Sequence, residues 1–143
     1  MTRRYLLDTD ILSHMMVNPD GMAARRADTA MTSPDQPQLC TSIVVHCELA
    51  FGIKKRGSMR LHAALDAQLG SLVVLDLDEG VVNHYAALRT HLEAIGQPSG
   101  ANDTFITARA LCIDATLVTA DAQFLGIPSL RVENWLKEKS IFD

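Results

Sequence analysis

The chain alternates short apolar segments with amphipathic helical segments over nearly its whole length, and this alternation restricts the fold more than any other feature. Two strands that flank a helix are joined by a right-handed crossover, which makes them parallel. Parallel sheets need helices on both faces, because neither face can be left to water. The sequence therefore predicts a three-layer α/β/α fold with a central parallel sheet of four to five strands.

The predicted elements follow from apolar periodicity and from capping residues. Strands are expected at 4–8, 39–41, 72–75, 116–119 and 130–132. Helices are expected at 11–16, from the Asn18-Pro19 pair to about 30, at 43–55, from Ser58 to Gly70, from Asp78 to Gly96, and at 101–113. A chain of 143 residues, 48% of them apolar, is long enough to bury one core, so we predict a single domain over residues 1–143.

Composition excludes several classes of protein. A net charge of −4 argues against a nucleic-acid binder that works by bulk positive charge. The apolar runs are short and interrupted by charges, and Asp8 and Asp10 interrupt the one that resembles a secretory signal, so we expect a cytoplasmic protein without a membrane span. Three cysteines without CxxC spacing, Cys40, Cys47 and Cys112, are expected to be buried and reduced.

Two acids follow predicted strands. Asp8 ends the first strand, and Asp121 lies just past the fourth. In an open parallel sheet, functional groups gather beyond the carboxyl ends of the strands, where the strand order reverses. Asp at such a position is also a common helix cap, so for each acid alone capping and function are both open.

Two further acids lie on predicted helices. Glu48 shares a helical stripe with Val44 and Phe51, an apolar setting in which an acid needs a partner. Asp103 lies in the first turn of the helix that leads into the fourth strand; there it would suit the helix dipole, but it also begins the unit that ends at Asp121. Four carboxylates at one sheet edge would repel one another unless a cation were present, and an all-oxygen site suits Mg²⁺ or Mn²⁺.

A basic cluster, Lys54-Lys55-Arg56, comes shortly after Glu48. Such a run is often only a solvated helix end, where positive charge favours the dipole. Its closeness to the acids makes phosphate binding by Lys54, Lys55 and Arg56 an equally good interpretation.

Five segments in this order and spacing resemble the PIN-domain family, and more narrowly its VapC-like toxins. They are Tyr5–Asp10, Ser42–Gly52, Gly96–Asp103, Leu117–Asp121 and Val132–Trp135. The resemblance implies a Mg²⁺-dependent endoribonuclease, with Mn²⁺ able to substitute, that inhibits translation as the toxin of a toxin–antitoxin pair. It also implies a VapB-like antitoxin, a homodimer that assembles further with that antitoxin, and an RNA substrate, for which the nearest subgroup suggests transfer RNA cut in a single-stranded loop.

The resemblance also implies the roles of particular residues. The family's four acids, which are its catalytic residues and metal ligands, fall on Asp8, Glu48, Asp103 and Asp121, and its polar residue before the last acid falls on Thr119. Asp10 stands where Asn is more usual in the family, which adds a competing carboxylate.

Other interpretations stay open at this point. Leu6–Asp10 also resembles the first motif of haloacid-dehalogenase-type phosphatases, in which Asp8 would be the nucleophile and Asp10 the general acid. A metal-free binding module, whose acids only cap helices, is a second alternative. A ribonuclease that uses a histidine pair is a third, although the spacing of the histidines pairs none of them.

Overall fold

The computed structural model describes residues 2–137, and over these residues five parallel strands form one sheet with the order β3-β2-β1-β4-β5. The strands are β1 (Arg4–Leu7), β2 (Gln38–Ser42), β3 (Val73–Leu75), β4 (Thr116–Val118) and β5 (Arg131–Glu133). The helices are α1 (Thr9–Val17), α2 (Met22–Met31), α3 (Ile43–Arg56), α4 (Met59–Gly70), α5 (Val81–Ala94) and α6 (Ala101–Cys112). A short 3₁₀ turn, Ala122–Phe124, follows β4.

The order of the strands reverses at the centre of the sheet. From β1 the chain moves outward through β2 to β3, and then returns to the other side of β1 to form β4 and β5. The backbone N–H of Asp8 donates to Val118 O at 2.9 Å, so β1 and β4 stay paired up to their carboxyl ends. The crevice beyond these two ends is where an open α/β sheet places its functional groups.

The three-layer α/β/α architecture predicted from the sequence is confirmed. Leu6 and Leu7 of β1 and Leu117 and Val118 of β4 have no exposed surface, as expected for central strands with helices on both faces. The two strands that hold the site therefore rest on the most buried part of the core.

Two predicted helix starts are wrong. The helix expected to begin at Asn18-Pro19 begins at Met22, because Asn18 instead ends α1 with its backbone N–H donating to His14 O. Asp78, expected to cap the next long helix, accepts a hydrogen bond from the Gly80 N–H at 2.9 Å in the turn that precedes α5.

The Val132–Trp135 segment anchors the end of the described chain. Trp135 is buried, its ring centre lies 5.4 Å from that of Tyr5, and its indole N–H donates to Glu133 Oε1 at 3.0 Å. Arg26 of α2 donates to the Asn134 carbonyl at 2.8 Å. This segment is therefore a packing motif against β1 and α2, and it meets the crevice through its backbone, where the Glu133 carbonyl accepts the Thr119 N–H at 3.0 Å.

Cysteine burial differs from the expectation for one residue in particular. Cys40 is buried and Cys112 is partly buried, but Cys47 is exposed on α3. Within residues 2–137 no helix is long and apolar enough to cross a bilayer. The single domain predicted over residues 1–143 includes Met1 and residues 138–143, which lie outside the described part, and stays a prediction.

Candidate active site

Asp8 is the buried centre of the candidate site. It follows β1, and its side chain is only 7% exposed. Its Oδ1 accepts the Thr9 backbone N–H at 2.7 Å, which caps α1, and its Oδ2 accepts the Thr119 hydroxyl at 2.8 Å. The sequence left helix capping and a functional role as alternatives for Asp8. In the structure the same side chain caps α1 and lies at the centre of the candidate site.

Thr119 connects Asp8 to Asp121. While its hydroxyl donates to Asp8, its oxygen accepts the Asp121 backbone N–H at 3.1 Å. Asp121 in turn caps the 3₁₀ turn, because its Oδ1 accepts the Gln123 N–H at 2.9 Å. Since the proton of the Thr119 hydroxyl is already donated to Asp8, we assign Thr119 a positioning role.

Thr9 connects Asp8 to Glu48. Its hydroxyl donates to Glu48 Oε1 at 2.7 Å, while its backbone N–H binds Asp8. The partner that the sequence required for Glu48 is therefore a threonine on the neighbouring helix. Sequence reasoning missed Thr9, although a hydroxyl residue directly after a strand-ending Asp is the signal that could have identified it.

The apolar setting expected for Glu48 is only partly correct. Val44 is half-buried, but Phe51 is 69% exposed. The stripe that contains these residues lines a surface groove instead of the core. Glu48 is thus accessible from solvent while one of its oxygens is held by Thr9.

Asp10 is a fifth acid of the crevice. Its Oδ2 accepts the Ala120 N–H at 2.9 Å, which joins α1 to the loop after β4. Its Oδ1 is buried and has no hydrogen-bond partner among the described residues. A buried carboxylate oxygen without a donor is unfavourable, and a cation would satisfy it.

Asp103 lies in the first turn of α6, as predicted, but the cap of that helix is Gly100. Its side chain is partly buried, and it forms no hydrogen bond within residues 2–137. Capping does not explain this acid, because no backbone N–H is bound to it.

The acids perturb one another's titration. Burial raises the pKa of Asp8 to about 6, against hydrogen bonds from Thr119 and Thr9 that lower it, and the charges of Asp10 and Asp103 raise it further. Burial also raises the pKa of Asp10, and the neighbouring charge of Asp121 adds to the effect.

The pKa of Asp103 is likewise raised, first by burial and then by the charges of Glu48, Asp121 and Asp10. All five acids therefore share one electrostatic field in a partly desolvated crevice. Such a field favours either protonation of the acids or binding of a cation among them.

The donor set fits a hard divalent cation. All the available ligands are carboxylate oxygens, and one of them, on Asp10, is buried without a partner. Within residues 2–137 no three acidic, histidine or cysteine side chains already converge as a preassembled metal site. Mg²⁺ usually keeps several water ligands and binds only one or two carboxylates directly, so a spread set of acids is compatible with it.

The basic cluster is divided between two grooves. Arg56 lines a groove of about 260 Å³ that also contains Glu48, whereas Lys54 lines a separate groove with His46 and His62. Lys55 is exposed and lines neither groove. The structure therefore associates Arg56 with the acids and does not bring Lys54 to them.

A sequence model of the family described as PIN domain matches residues 5–129, a span that contains the four predicted acids and Thr119. The chain belongs to the PIN-domain family.

Curated relatives of this PIN domain are VapC proteins. It is 32% identical over 136 residues to Ribonuclease VapC2 of Rickettsia felis, an alignment covering 93% of this chain and 98% of the relative. It is 30% identical over 138 residues to Ribonuclease VapC1 of Haemophilus influenzae strain R2866, with the same coverage of each chain.

Solved structures agree with the fold. The crystal structure of VapBC2 from Rickettsia felis bound to a promoter DNA fragment contains a chain that matches this PIN domain with a TM-score of 0.83. The identity is 29%, and the match covers 92% of this chain and 98% of that one. VapBC-1 from nontypeable Haemophilus influenzae gives a TM-score of 0.77 at 28% identity, with coverage of 94% and 99%.

The raised pKa of Asp8 predicts how stability depends on pH. In the folded state this pKa is about 6, above its ordinary value of 3.8, so the folded state holds the proton more tightly than the unfolded state does. The metal-free protein should therefore lose stability as pH rises from about 4 to about 6. Asp8→Asn removes the charge, and should raise the free energy of unfolding at pH 7.5 in EDTA by on the order of 2 kcal/mol.

Urea unfolding of both proteins across this pH range measures the effect. The gain should shrink as pH falls and should vanish only at about pH 3, below both pKa values, where wild-type Asp8 is protonated in the folded and the unfolded state. Asp20→Asn, at an exposed position, is the control and should change little. A variant less stable than wild type at pH 7.5 would contradict the electrostatic account of this crevice.

Proposed function

We propose that this PIN domain is a Mg²⁺-dependent endoribonuclease, the toxin of a toxin–antitoxin pair, that cleaves a structured RNA in a single-stranded loop and so inhibits translation. The observation that best supports this is the pair of threonines, Thr9 and Thr119, that join Asp8 to Glu48 on one side and to Asp121 on the other. They hold acids from three separate parts of the chain at the point where the strand order reverses.

The acids and the two threonines have distinct tasks in this proposal. Asp8 and Asp103, together with Glu48 and Asp121, would hold one or two divalent ions directly or through water. The bound cation would supply activation of a water and neutralisation of the phosphate charge. Thr9 and Thr119 hold their acids in place before the substrate arrives, so less reorganisation is needed during the reaction.

The aromatic side chains favour recognition of RNA shape. Proteins that bind single strands use exposed aromatic rings as stacking platforms. Tyr5, Phe124 and Trp135 are buried, and Phe51 is the one aromatic among residues 2–137 that is more than half exposed. We therefore propose a folded RNA, with transfer RNA as the first candidate, that is cut where its backbone is unpaired. Lys54 and Lys55 stay predicted contacts to the parts of that RNA that lie further from the cut.

A VapB-like antitoxin is the proposed partner. The solved relatives from Rickettsia felis and Haemophilus influenzae are VapBC complexes. Within residues 2–137 no Lys or Arg of this chain pairs with any acid of the crevice. An Arg from the partner, inserted among the acids, would relieve their repulsion and exclude the RNA.

A homodimer is the proposed state of the free toxin. A second groove beside Glu48, of about 620 Å³, is lined by the apolar side chains of Val44, Phe51, Leu77 and Phe105. Because the Phe51 ring is largely exposed, its burial against another protein surface would be favourable. A second copy packed here would bring two acidic crevices together, because Glu48 borders this groove, and would offer one RNA the positive charges of two copies.

The alternative functions are less well supported. A phosphatase of the haloacid-dehalogenase type needs a lysine near Asp8, and no basic side chain of the described chain pairs with Asp8 or Asp10. A metal-free module would explain Asp8 and Asp121 as caps, but leaves Asp103 unexplained. His46 and His62 line one groove with Lys54, away from the acids, and the ends of the cleaved RNA distinguish a histidine-pair mechanism from the proposed one.

Cleavage of purified transfer RNA tests the proposed chemistry. Water that attacks the phosphorus directly leaves 5′-phosphate and 3′-hydroxyl ends and does not need the neighbouring 2′-hydroxyl. We expect Mg²⁺-dependent cleavage with these ends, abolition by EDTA, and a loss of at least about a hundredfold in Asp103→Asn with the fold retained.

Asp28→Asn, on the exposed surface of α2 and outside the grooves, is the matched control and should cleave like wild type. Products with 2′,3′-cyclic phosphate, or full activity in EDTA, would overturn the metal mechanism. Rapid hydrolysis of a small aryl phosphate would instead indicate the phosphatase.

Sedimentation equilibrium tests the homodimer. Phe51→Glu places a charge in the groove beside Glu48 and should shift the protein at micromolar concentration from dimer to monomer. Met59→Glu is the control, because Met59 is also exposed, at 88%, but lines the other groove. A wild-type protein that is monomeric and active on RNA would contradict the proposed dimer.

A further inference from the structure

Gly52 lies inside α3, one turn after Glu48, where nothing in the described part of the chain requires a glycine. Helix interiors disfavour glycine more than any residue except proline. Gly52 is not among the glycines with positive φ, and a Cβ built on it would meet no atom within 4 Å. Neither backbone conformation nor packing within the described chain therefore explains the missing side chain.

Gly52 forms part of the wall of the groove that connects the acids to Arg56. This groove, of about 260 Å³, has Glu48 at one end and Arg56 at the other, with Met16 and Leu61 among its apolar lining. Glu48, Gly52 and Arg56 follow one another at intervals of four residues, so they lie on one face of α3. Each interval is about 6 Å along the helix axis.

We propose that this groove binds the RNA strand next to the bond that is cut, with the sugar of one nucleotide against the bare backbone of Gly52 and a phosphate on Arg56. This inference rests on the proposed ribonuclease function, and it identifies the surface that the substrate strand follows beyond the acids. Gly52 is then explained by the close approach of the strand, which a side chain would prevent.

The charges of the two grooves that Glu48 borders favour RNA binding in the groove with Gly52. Glu48 borders two grooves, and none of the described residues that line the one with Phe51 is basic. The groove with Gly52 ends in Arg56. With a cation held by the acids, both ends of that groove would attract phosphate, and a continuous single strand presents phosphates at regular intervals.

Substitution of Gly52 should separate stability from function. Gly52→Ala removes a helix-disfavouring residue and should raise Tm by roughly 2–4 °C. The same change should raise KM for transfer RNA about tenfold with kcat within about twofold, and Gly52→Leu should raise KM further. Arg56→Gln should also raise KM.

Two variants are matched controls. Gly70, at the end of α4, is another exposed helical glycine whose Cβ would meet nothing, and Gly70→Ala should leave KM unchanged. Arg25→Gln removes an exposed charge from α2, away from both grooves, and should likewise leave KM unchanged.

A second measurement keeps the inference separate from the proposed function. A labelled RNA hairpin is titrated with Asp103→Asn protein, and the added Gly52→Ala change should weaken its binding by a similar factor.

Wild-type KM and hairpin affinity in both Gly52 variants would overturn the inference. Unchanged cleavage together with escape from a VapB-like antitoxin would assign the groove to the protein partner. If the wild type cuts no RNA, the proposed function fails, and hairpin affinity alone decides the role of Gly52.

Discussion

The buried charge of Asp8 is the constraint on which the rest of the site depends. Asp8 ends the central strand, where β1 and β4 are still paired, and it is held by a backbone N–H on one oxygen and by Thr119 on the other. These bonds do not fully offset its burial, because its pKa remains raised to about 6. The fold therefore keeps an unfavourable carboxylate at its centre, together with four further acids in the same field, which is an expected cost at a functional site.

Sequence reasoning could locate most of this site because parallel topology determines where strand ends meet. Asp8 and Asp121 were predictable from their positions after two strands, and Asp103 from its place at the start of the helix that leads to β4. The alternation of strands and helices was enough to predict a parallel sheet, since crossover connections leave few other arrangements.

Other features depend on contacts that no local pattern determines. The partner of Glu48 is Thr9, which lies 39 positions away on another helix, whereas the expected neighbour Phe51 is exposed. Asn18 ends one helix instead of starting the next, because its N–H reaches back to His14 O. The basic cluster is continuous in sequence, but residues two positions apart on a helix lie on different faces. Lys54 and Arg56 of α3 therefore line different grooves.

The central claim is that these acids are arranged for a divalent cation, and calorimetric titration of the metal-free protein with Mn²⁺ tests it most directly. The account predicts saturable binding to the wild type, binding weakened by at least about tenfold in Asp103→Asn, and unchanged binding in the surface control Asp28→Asn. Absence of any heat of binding in the wild type, or equal affinity in Asp103→Asn, would contradict the claim.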